Sequence, residues 1–468
     1  MDRLLIRNGC VVSMAPEIGD FHSADVLIEG SRIAAVAPNL EADAGEVIDA
    51  RGMIVLPGLV NAHLHTWQTG LRAVAAHWTG PDYHRDMHGN LATRFLPDDN
   101  YIGNLLGALE QINAGVTTIF DWCHNITTLA HAERAVDGLE ESGIRAVFGH
   151  GTAKPRHASD ELPFTHRPHP RDRIVALRHG RFASADRLVT LAMAILGPQF
   201  STPDVTRHDF RMARELGLRS SSHASRRSPD WLSDQGYRVA ADVGALGPDH
   251  NVVHGNYIGD EELQLILDCG ASITVTSLIE LHVHPADPVA GRMLAAGAMP
   301  SLGVDSIPAA NSDMFNEMRA IYLFMNAAAH RTNYREGRPP LPVLPVGPRD
   351  ILTWATIGGA RALGLEDKIG SLAPGKKADV ICLRATDLNL APVHDPVLSV
   401  VQQANGANVD TVIVDGHVRK RNGRLLYPPD RLANKSVQLA ASAARIIEEA
   451  GLSERYLMRQ GDKPLSPV

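Results

Sequence analysis

Apolar residues along this chain follow two different rhythms. Near the N-terminus they form short β-rich pieces broken by turn residues: Leu4 to Ile6, Cys10 to Ser13, Asp25 to Ile28 and Arg32 to Val36, with Gly30-Ser31 suited to a hairpin turn. The same style returns late in the chain, in Asp379 to Leu383 and Asp410 to Val414, where Asp415-Gly416 makes a tight turn before His417 to Arg419. From about residue 55 to 365 the texture changes. Short apolar runs (Val116 to Phe120, Ala146 to Phe148, Asn251 to Val253, Ser272 to Val275, Met299 to Leu302) alternate with helical stretches (Asp99 to Ala114, Leu129 to Ser142, Asp204 to Leu216, Asp260 to Cys269, Ser312 to Ala329). Repeated strand-then-helix units imply a parallel sheet, and this many in succession favour an α/β fold closed as a (β/α)8 TIM barrel. The flanking β segments would then pair into one small discontinuous β-sandwich. The expected layout is residues 1–55 and 365–430 for the sandwich, 56–364 for the barrel, and 431–468 for a C-terminal helix (Val437 to Ala450) and tail. Lys154 to Arg181, dense in Arg, His and Pro, reads as a surface excursion over the barrel mouth or a poorly ordered loop.

The apolar run from Met53 to Val60 reads as one buried strand, and it leads into His63-Leu64-His65. Strand side chains repeat every two residues, so both imidazoles leave the same face of the backbone. Two nitrogen ligands held on one strand make half of a metal site. In a chain with 22 histidines such a pair alone is weak; its context carries the argument. Barrel active sites gather at the C-terminal ends of the strands. His223 stands there, closing Arg219-Ser220-Ser221-Ser222. His254 follows Asn251-Val252-Val253, and Asp305 follows Leu302-Gly303-Val304. Three imidazoles and one carboxylate, with a position left for water, form the pattern of a catalytic rather than a structural metal.

Composition narrows the class. The chain has 468 residues, 44% of them hydrophobic and 21% charged, as in soluble globular proteins. A net charge of −8 argues against general nucleic-acid binding. Cys10, Cys123, Cys269 and Cys382 are scattered without a CxxC, which suits reduced thiols. No signal peptide and no membrane span is expected, so the default location is the cytoplasm.

These motifs together resemble the amidohydrolase superfamily, and within it the cytosine-deaminase-like group that includes adenosine-type and guanine deaminases and triazine hydrolases. Pro57-Gly58-Leu59-Val60-Asn61-Ala62-His63-Leu64-His65 resembles the group's opening motif, and Gly115-Val116-Thr117-Thr118 with Asp121 its second strand. His254-Gly255 and Leu302-Gly303-Val304-Asp305-Ser306 resemble later strands, and Ile369 to Asp379 the return to the small β domain. The resemblance spans nearly the whole chain. It implies His63, His65, His223 and Asp305 as ligands of one divalent ion. Asp305 would also be the general base towards metal-activated water, and His254 the residue beside the nucleophile. Zinc is the default metal, although this ligand set also accepts iron, manganese or cobalt. A homodimer or tetramer is implied as well.

The chain departs from the group at one point. A glutamate usually stands three residues after the third histidine ligand, where it passes a proton to the leaving amine; here that residue is Arg226. A guanidinium cannot act as a general acid at neutral pH. Arg226 either binds an anionic substrate group or is a solvated surface residue. Glu280 is either a replacement carboxylate or a plain loop residue. His282-Val283-His284 reads as substrate contact or loop rather than as a second metal site. Trp67, Gln68, Arg72, His77, Trp78, Tyr83, His84 and His88 follow the first motif and suit a planar, nitrogen-rich or aromatic substrate. Trp122 and His124 are further candidates for the pocket wall. The expected substrate-binding set is therefore Trp67, Gln68, Trp122, Arg226, Glu280 and His282.

The leading reading is a mononuclear metal hydrolase that cleaves a non-peptide C–N bond of a small heterocyclic or aromatic molecule. A variant of it expels a halide, alkylamine or thiol instead of ammonia. The alternative class, an inactive binding protein that has kept the fold, has no reason to retain all five of His63, His65, His223, His254 and Asp305.

Overall fold

The computed structural model describes residues 3–155, 161–184, 186–225, 236–284 and 286–456. Two sheets organise it. Strands β1 (Arg3–Val12), β2 (Asp20–Glu29), β3 (Arg32–Ala37), β4 (Glu46–Asp49) and β5 (Met53–Pro57) come from the N-terminal segment. Barrel strands follow as β6 (Leu59–Leu64), β7 (Val116–Cys123), β8 (Arg145–Gly151), β9 (Val189–Ala194), β10 (Arg219–Ala224), β11 (His250–His254), β12 (Ser272–Val275) and β13 (Ser301–Leu302). The C-terminal segment adds β14 (Val380–Arg384), β15 (Val409–Val414), β16 (His417–Arg421) and β17 (Arg424–Leu425).

β6 to β13 pair in parallel, each beside its predecessor. A parallel bridge between Leu64 and Asp305 then joins the last strand to the first, so the sheet closes. Three backbone bonds seal the joint: the amides of Val304 and Asp305 donate to the His63 carbonyl, and His65 N–H donates to the Asp305 carbonyl. Gly303 permits the approach, since a Cβ there would sit 2.8 Å from the His63 nitrogen and Cβ. Strands covered on both faces read as near-continuous apolar runs. All eight residues of β7 and all seven of β8 are buried accordingly. Small and aromatic side chains such as Ala62, Phe120, Trp122, Ala192 and Ala194 fill the interior, whereas Leu64, Cys123 and Met193 point outward under the helices.

The N- and C-terminal strands share one mixed sheet, joined where β5 runs antiparallel to β14. The single strand expected over Met53 to Val60 is therefore two. β5 belongs to the small sheet and β6 to the barrel, and the chain changes sheets at Gly58. A side chain at Gly58 would collide with Thr117, which is why a glycine stands there. A buried ion cluster ties the two bodies together. The Arg145 guanidinium at the foot of β8 grips Asp379 through 2.8 and 3.0 Å bonds and reaches Asp415 at 2.9 Å.

Two expectations change. The terminal helix spans Pro429–Glu449, longer than the stretch anticipated from Val437, because Leu432 and Leu439 pack against Tyr101, Leu105 and Leu109 of helix Pro97–Asn113. The described part of the Lys154 to Arg181 excursion is packed rather than loose. It includes helix Arg171–His179, and buried His169 approaches His150 at 2.9 Å. No helix among the described residues is long and apolar enough to cross a membrane.

Candidate metal centre

Parity along β6 sends His63 and His65 into the barrel mouth while Leu64 packs outside. The seam with β13 brings Asp305 directly opposite. His65 Nε2 lies 3.0 Å and His63 Nε2 3.2 Å from the same oxygen, Asp305 Oδ1. His223 arrives from the end of β10, its ring centroid 4.9 Å from that of His63. One donor atom from each of His63, His65, His223 and Asp305 lies within 4.8 Å of the others, and all four residues are buried. Two residues at this mouth, His254 (φ 74°) and Asp305 (φ 62°), hold left-handed backbone conformations. For non-glycine residues these cost roughly 1 kcal/mol or more each, and such strain concentrates at functional sites.

The donors fit a cation. His65 Nδ1 sits 2.7 Å from the Trp122 carbonyl oxygen, so that nitrogen carries the proton and donates it. In the neutral ring Nε2 then has only a lone pair, and it faces a carboxylate oxygen. Two acceptors at 3.0 Å suit a shared cation between them. Burial also lowers the His63 pKa to about 3, despite the hydrogen bond to Asp305, and holds His223 well below its ordinary value. Both imidazoles are thus neutral, as metal ligands must be. For Asp305 burial alone would raise the pKa; the neighbouring imidazoles of His63, His65 and His254 outweigh it, and the carboxylate stays ionised.

His254 stands beside the cluster, its Nε2 3.8 Å from Asp305 Oδ2. Its other nitrogen has two partners, the Thr276 hydroxyl at 3.0 Å and Glu280 Oε1 at 3.3 Å. Glu280 is fully buried within helix Ser277–Val283, where it also accepts the Thr276 N–H at 2.8 Å. Burial pushes its carboxyl up to about 7. Glu317, on the long helix Met314–Arg335, accepts the Ser277 and Leu278 amides and so holds the N-terminus of the Glu280 helix.

A cavity of about 310 Å³ opens above the cluster. Its apolar wall includes Trp78, Tyr83, Phe200, Tyr257, Ile279 and Val283; His84, His88, His124, His284 and Lys154 also face it. Tyr83, His84 and His88 share one π-helical turn, Tyr83–His88, a distortion common at functional sites.

The structure redraws the expected substrate set. Trp67, Gln68 and Trp122 do not line the cavity but stand behind its wall. Trp67 Nε1 donates to His124 Nδ1 at 3.1 Å, and Gln68 bonds Tyr83 and Ser306. Trp122 fills the barrel interior 4.4 Å from the His223 ring and donates to Ser221. Each is too deep in the packing to reach a ligand. Glu280 likewise acts on His254 rather than on the cavity. His282 is exposed, and its helix turns His284 inward instead. Arg226 lies outside the described residues. Sequence reasoning missed Lys154, Phe200 and Tyr257. Lys154 follows the apolar run of β8 on its C-terminal side, the signal that exposes barrel-site residues, but the basic, Pro-rich stretch after it disguised the position.

A family model, described as the amidohydrolase family, matches residues 54–419. The chain belongs to the amidohydrolase family. Among its relatives, a 5-methylthioadenosine/S-adenosylhomocysteine deaminase of Desulforudis audaxviator is 31% identical over 95% of this chain and 99% of the relative. A 5'-deoxyadenosine deaminase of Methanothermobacter thermautotrophicus is 30% identical over 93% and 99%. Among solved structures, an adenosine deaminase from Xanthomonas campestris with bound zinc superposes with a TM-score of 0.77 at 22% identity, covering 95% of this chain and 98% of that one. An atrazine chlorohydrolase from Arthrobacter aurescens complexed with zinc gives 0.78 at 22% identity, over 94% and 100%. These two establish the shared barrel fold. This amidohydrolase is a metal-binding hydrolase acting on carbon–nitrogen bonds other than peptide bonds.

Proposed function

We propose that this amidohydrolase hydrolyses an exocyclic amine from a planar, nitrogen-rich heterocycle of the adenosine type. The convergence of His63, His65, His223 and Asp305 at the floor of an aromatic-walled cavity carries this reading. The relatives that are deaminases of adenine nucleosides supply the substrate class. Those four residues would hold one divalent ion, zinc by preference. Such an ion, when bound, lowers the pKa of a coordinated water towards neutrality and makes hydroxide available at physiological pH.

The chain's own residues do the rest. Asp305 takes the water's proton on Oδ2, the oxygen turned away from His63 and His65 and towards His254. His254, kept in place by Thr276 and Glu280, orients the attacking oxygen or polarises the ring. Trp78, Tyr83 and Phe200 offer the flat substrate an apolar, aromatic wall and exclude water. With Arg226 where the related group carries its proton-shuttling glutamate, a second reading stands beside the first: expulsion of a halide, alkylamine or thiol, which needs less proton assistance.

The test is one zinc-loaded preparation offered adenine nucleosides and halogenated, alkylaminated and thiolated heterocycles in parallel. Ammonia from the nucleosides supports the first reading; halide, alkylamine or thiol without ammonia supports the second. No release from any of them, at a metal stoichiometry of one, sinks both. The proposed setting is the cytoplasm, consistent with four free thiols, and the proposed state is a homo-oligomer, to be read from its mass in solution by light scattering.

A further inference from the structure

We propose that His284 is a specificity residue of the cavity: its Nε2 is a fixed hydrogen-bond acceptor that selects a heterocycle presenting an N–H or O–H to it. The inference rests on the functional reading above and narrows its substrate. The sequence left His282-Val283-His284 as substrate contact or loop, and the fold separates its two histidines. His282 is exposed, whereas His284 lines the cavity. His284 closes the helix Ser277–Val283, its backbone N–H donating to the Glu280 carbonyl at 3.1 Å. Its ring stands edge-to-face with His254, centroids 4.9 Å apart, and 6.1 Å from the Tyr257 ring.

Asn256 decides where the proton of that ring sits. Its Nδ2 donates to the carbonyls of Ala286 and Asp287, at 3.1 Å each. Carbonyl oxygens only accept, so the amide has a single orientation, and Oδ1 is the atom 3.0 Å from His284 Nδ1. An amide oxygen also only accepts, so Nδ1 carries the hydrogen and donates it. Burial lowers the pKa of the ring to about 4, so at neutral pH it holds no second proton. Nε2 is then a bare lone pair. His254 does not use it: one of its nitrogens turns to Thr276 and Glu280, the other towards Asp305. A ligand that displaces water from the cavity and brings no donor leaves this acceptor unpaired. A ligand with an N–H or O–H there satisfies it, so the site discriminates by the loss the wrong ligand suffers.

The test measures binding, so it does not depend on turnover. Zinc-loaded full-length protein is titrated calorimetrically with indole and with benzofuran, as wild type, His284→Phe and His284→Met. The two probes are planar bicycles of one shape that differ in N–H against O, and neither has a basic nitrogen for the metal. The wild type should bind indole about tenfold more tightly than benzofuran. Both variants remove the acceptor, and each should bring the two affinities within about twofold of each other at unchanged zinc stoichiometry. A preference that survives in either zinc-replete variant assigns the N–H to another acceptor and overturns the proposal. So does wild-type protein that binds both probes equally, or neither at millimolar concentration. Failure of the functional reading is seen separately, as a lack of product from every heterocycle.

Discussion

Replacing Glu280 by glutamine isolates one buried carboxyl and gives two readouts of opposite sign. Glu280 is enclosed on all sides, and burial lifts its pKa from 4.5 to about 7. The folded protein thus keeps a proton that the unfolded chain gives up across that interval. Because the folded state binds more protons there, stability falls as pH rises from 4.5 to about 7, then levels off. A shift of this size is worth roughly 3 kcal/mol, since each pKa unit is about 1.4 kcal/mol. Glu280→Gln stays neutral at every pH, and its amide oxygen can still accept the Thr276 N–H. Its stability advantage over wild type should therefore be near zero at pH 4.5 and grow to roughly 3 kcal/mol by pH 8. Urea unfolding at both pH values measures it. Metal-depleted protein is the right sample, because a bound cation would favour the ionised form and shrink the gap. Turnover of the zinc form should move the other way, by about tenfold to a hundredfold, as His254 loses a carboxylate partner. A stability gap equal at the two pH values would refute the buried neutral carboxyl, and undiminished turnover would remove Glu280 from the site.

Other outcomes follow from the same geometry. His63→Ala should take zinc, by elemental analysis, from one ion per chain to none and abolish turnover together with it. Asp305→Asn should lower kcat by about a hundredfold or more with little change in KM; near-normal kcat would exclude it as the base. Gly303→Ala should force β6 and β13 apart at the barrel seam, because the new methyl meets His63 backbone atoms at 2.8 and 2.9 Å. Zinc affinity should drop by about tenfold or more, and unchanged affinity would show that the seam tolerates the shift. Arg145→Met strands Asp379 in the interface between barrel and small sheet, so a loss of about 3–5 kcal/mol in urea is expected. A loss below about 1 kcal/mol would mean that the cluster does not hold the two bodies together.

Much of the site was legible because it is built on strands. Alternation in His63-Leu64-His65 puts two imidazoles on one face whatever the rest of the chain does. The ends of β10, β11 and β13 are where apolar runs stop and polar residues begin. What failed was the assignment of the cavity wall. Trp67, Gln68 and Trp122 sit near the metal ligands or follow a strand in sequence, but in the fold they pack against His124, Tyr83 and His223, which are the residues that line the cavity. Lys154 and Phe200 come from connections whose course no local pattern sets. Nor could periodicity show that β5 and β6 part at Gly58, since a buried strand of either sheet has the same apolar run.

Local chemistry, then, was the province of the sequence: the ligand types, their parity on β6, the repeated strand-helix units and so the barrel. Tertiary structure alone decided which groups meet. The seam between β6 and β13 sets Asp305 against His63 and His65, the left-handed turns at His254 and Asp305 aim both residues into the mouth, and burial sets the protonation of His63, His223 and Glu280. The reason is one of range. Side-chain parity and strand propensity act over a few residues, whereas a shared cavity and its desolvation depend on segments up to 242 positions apart.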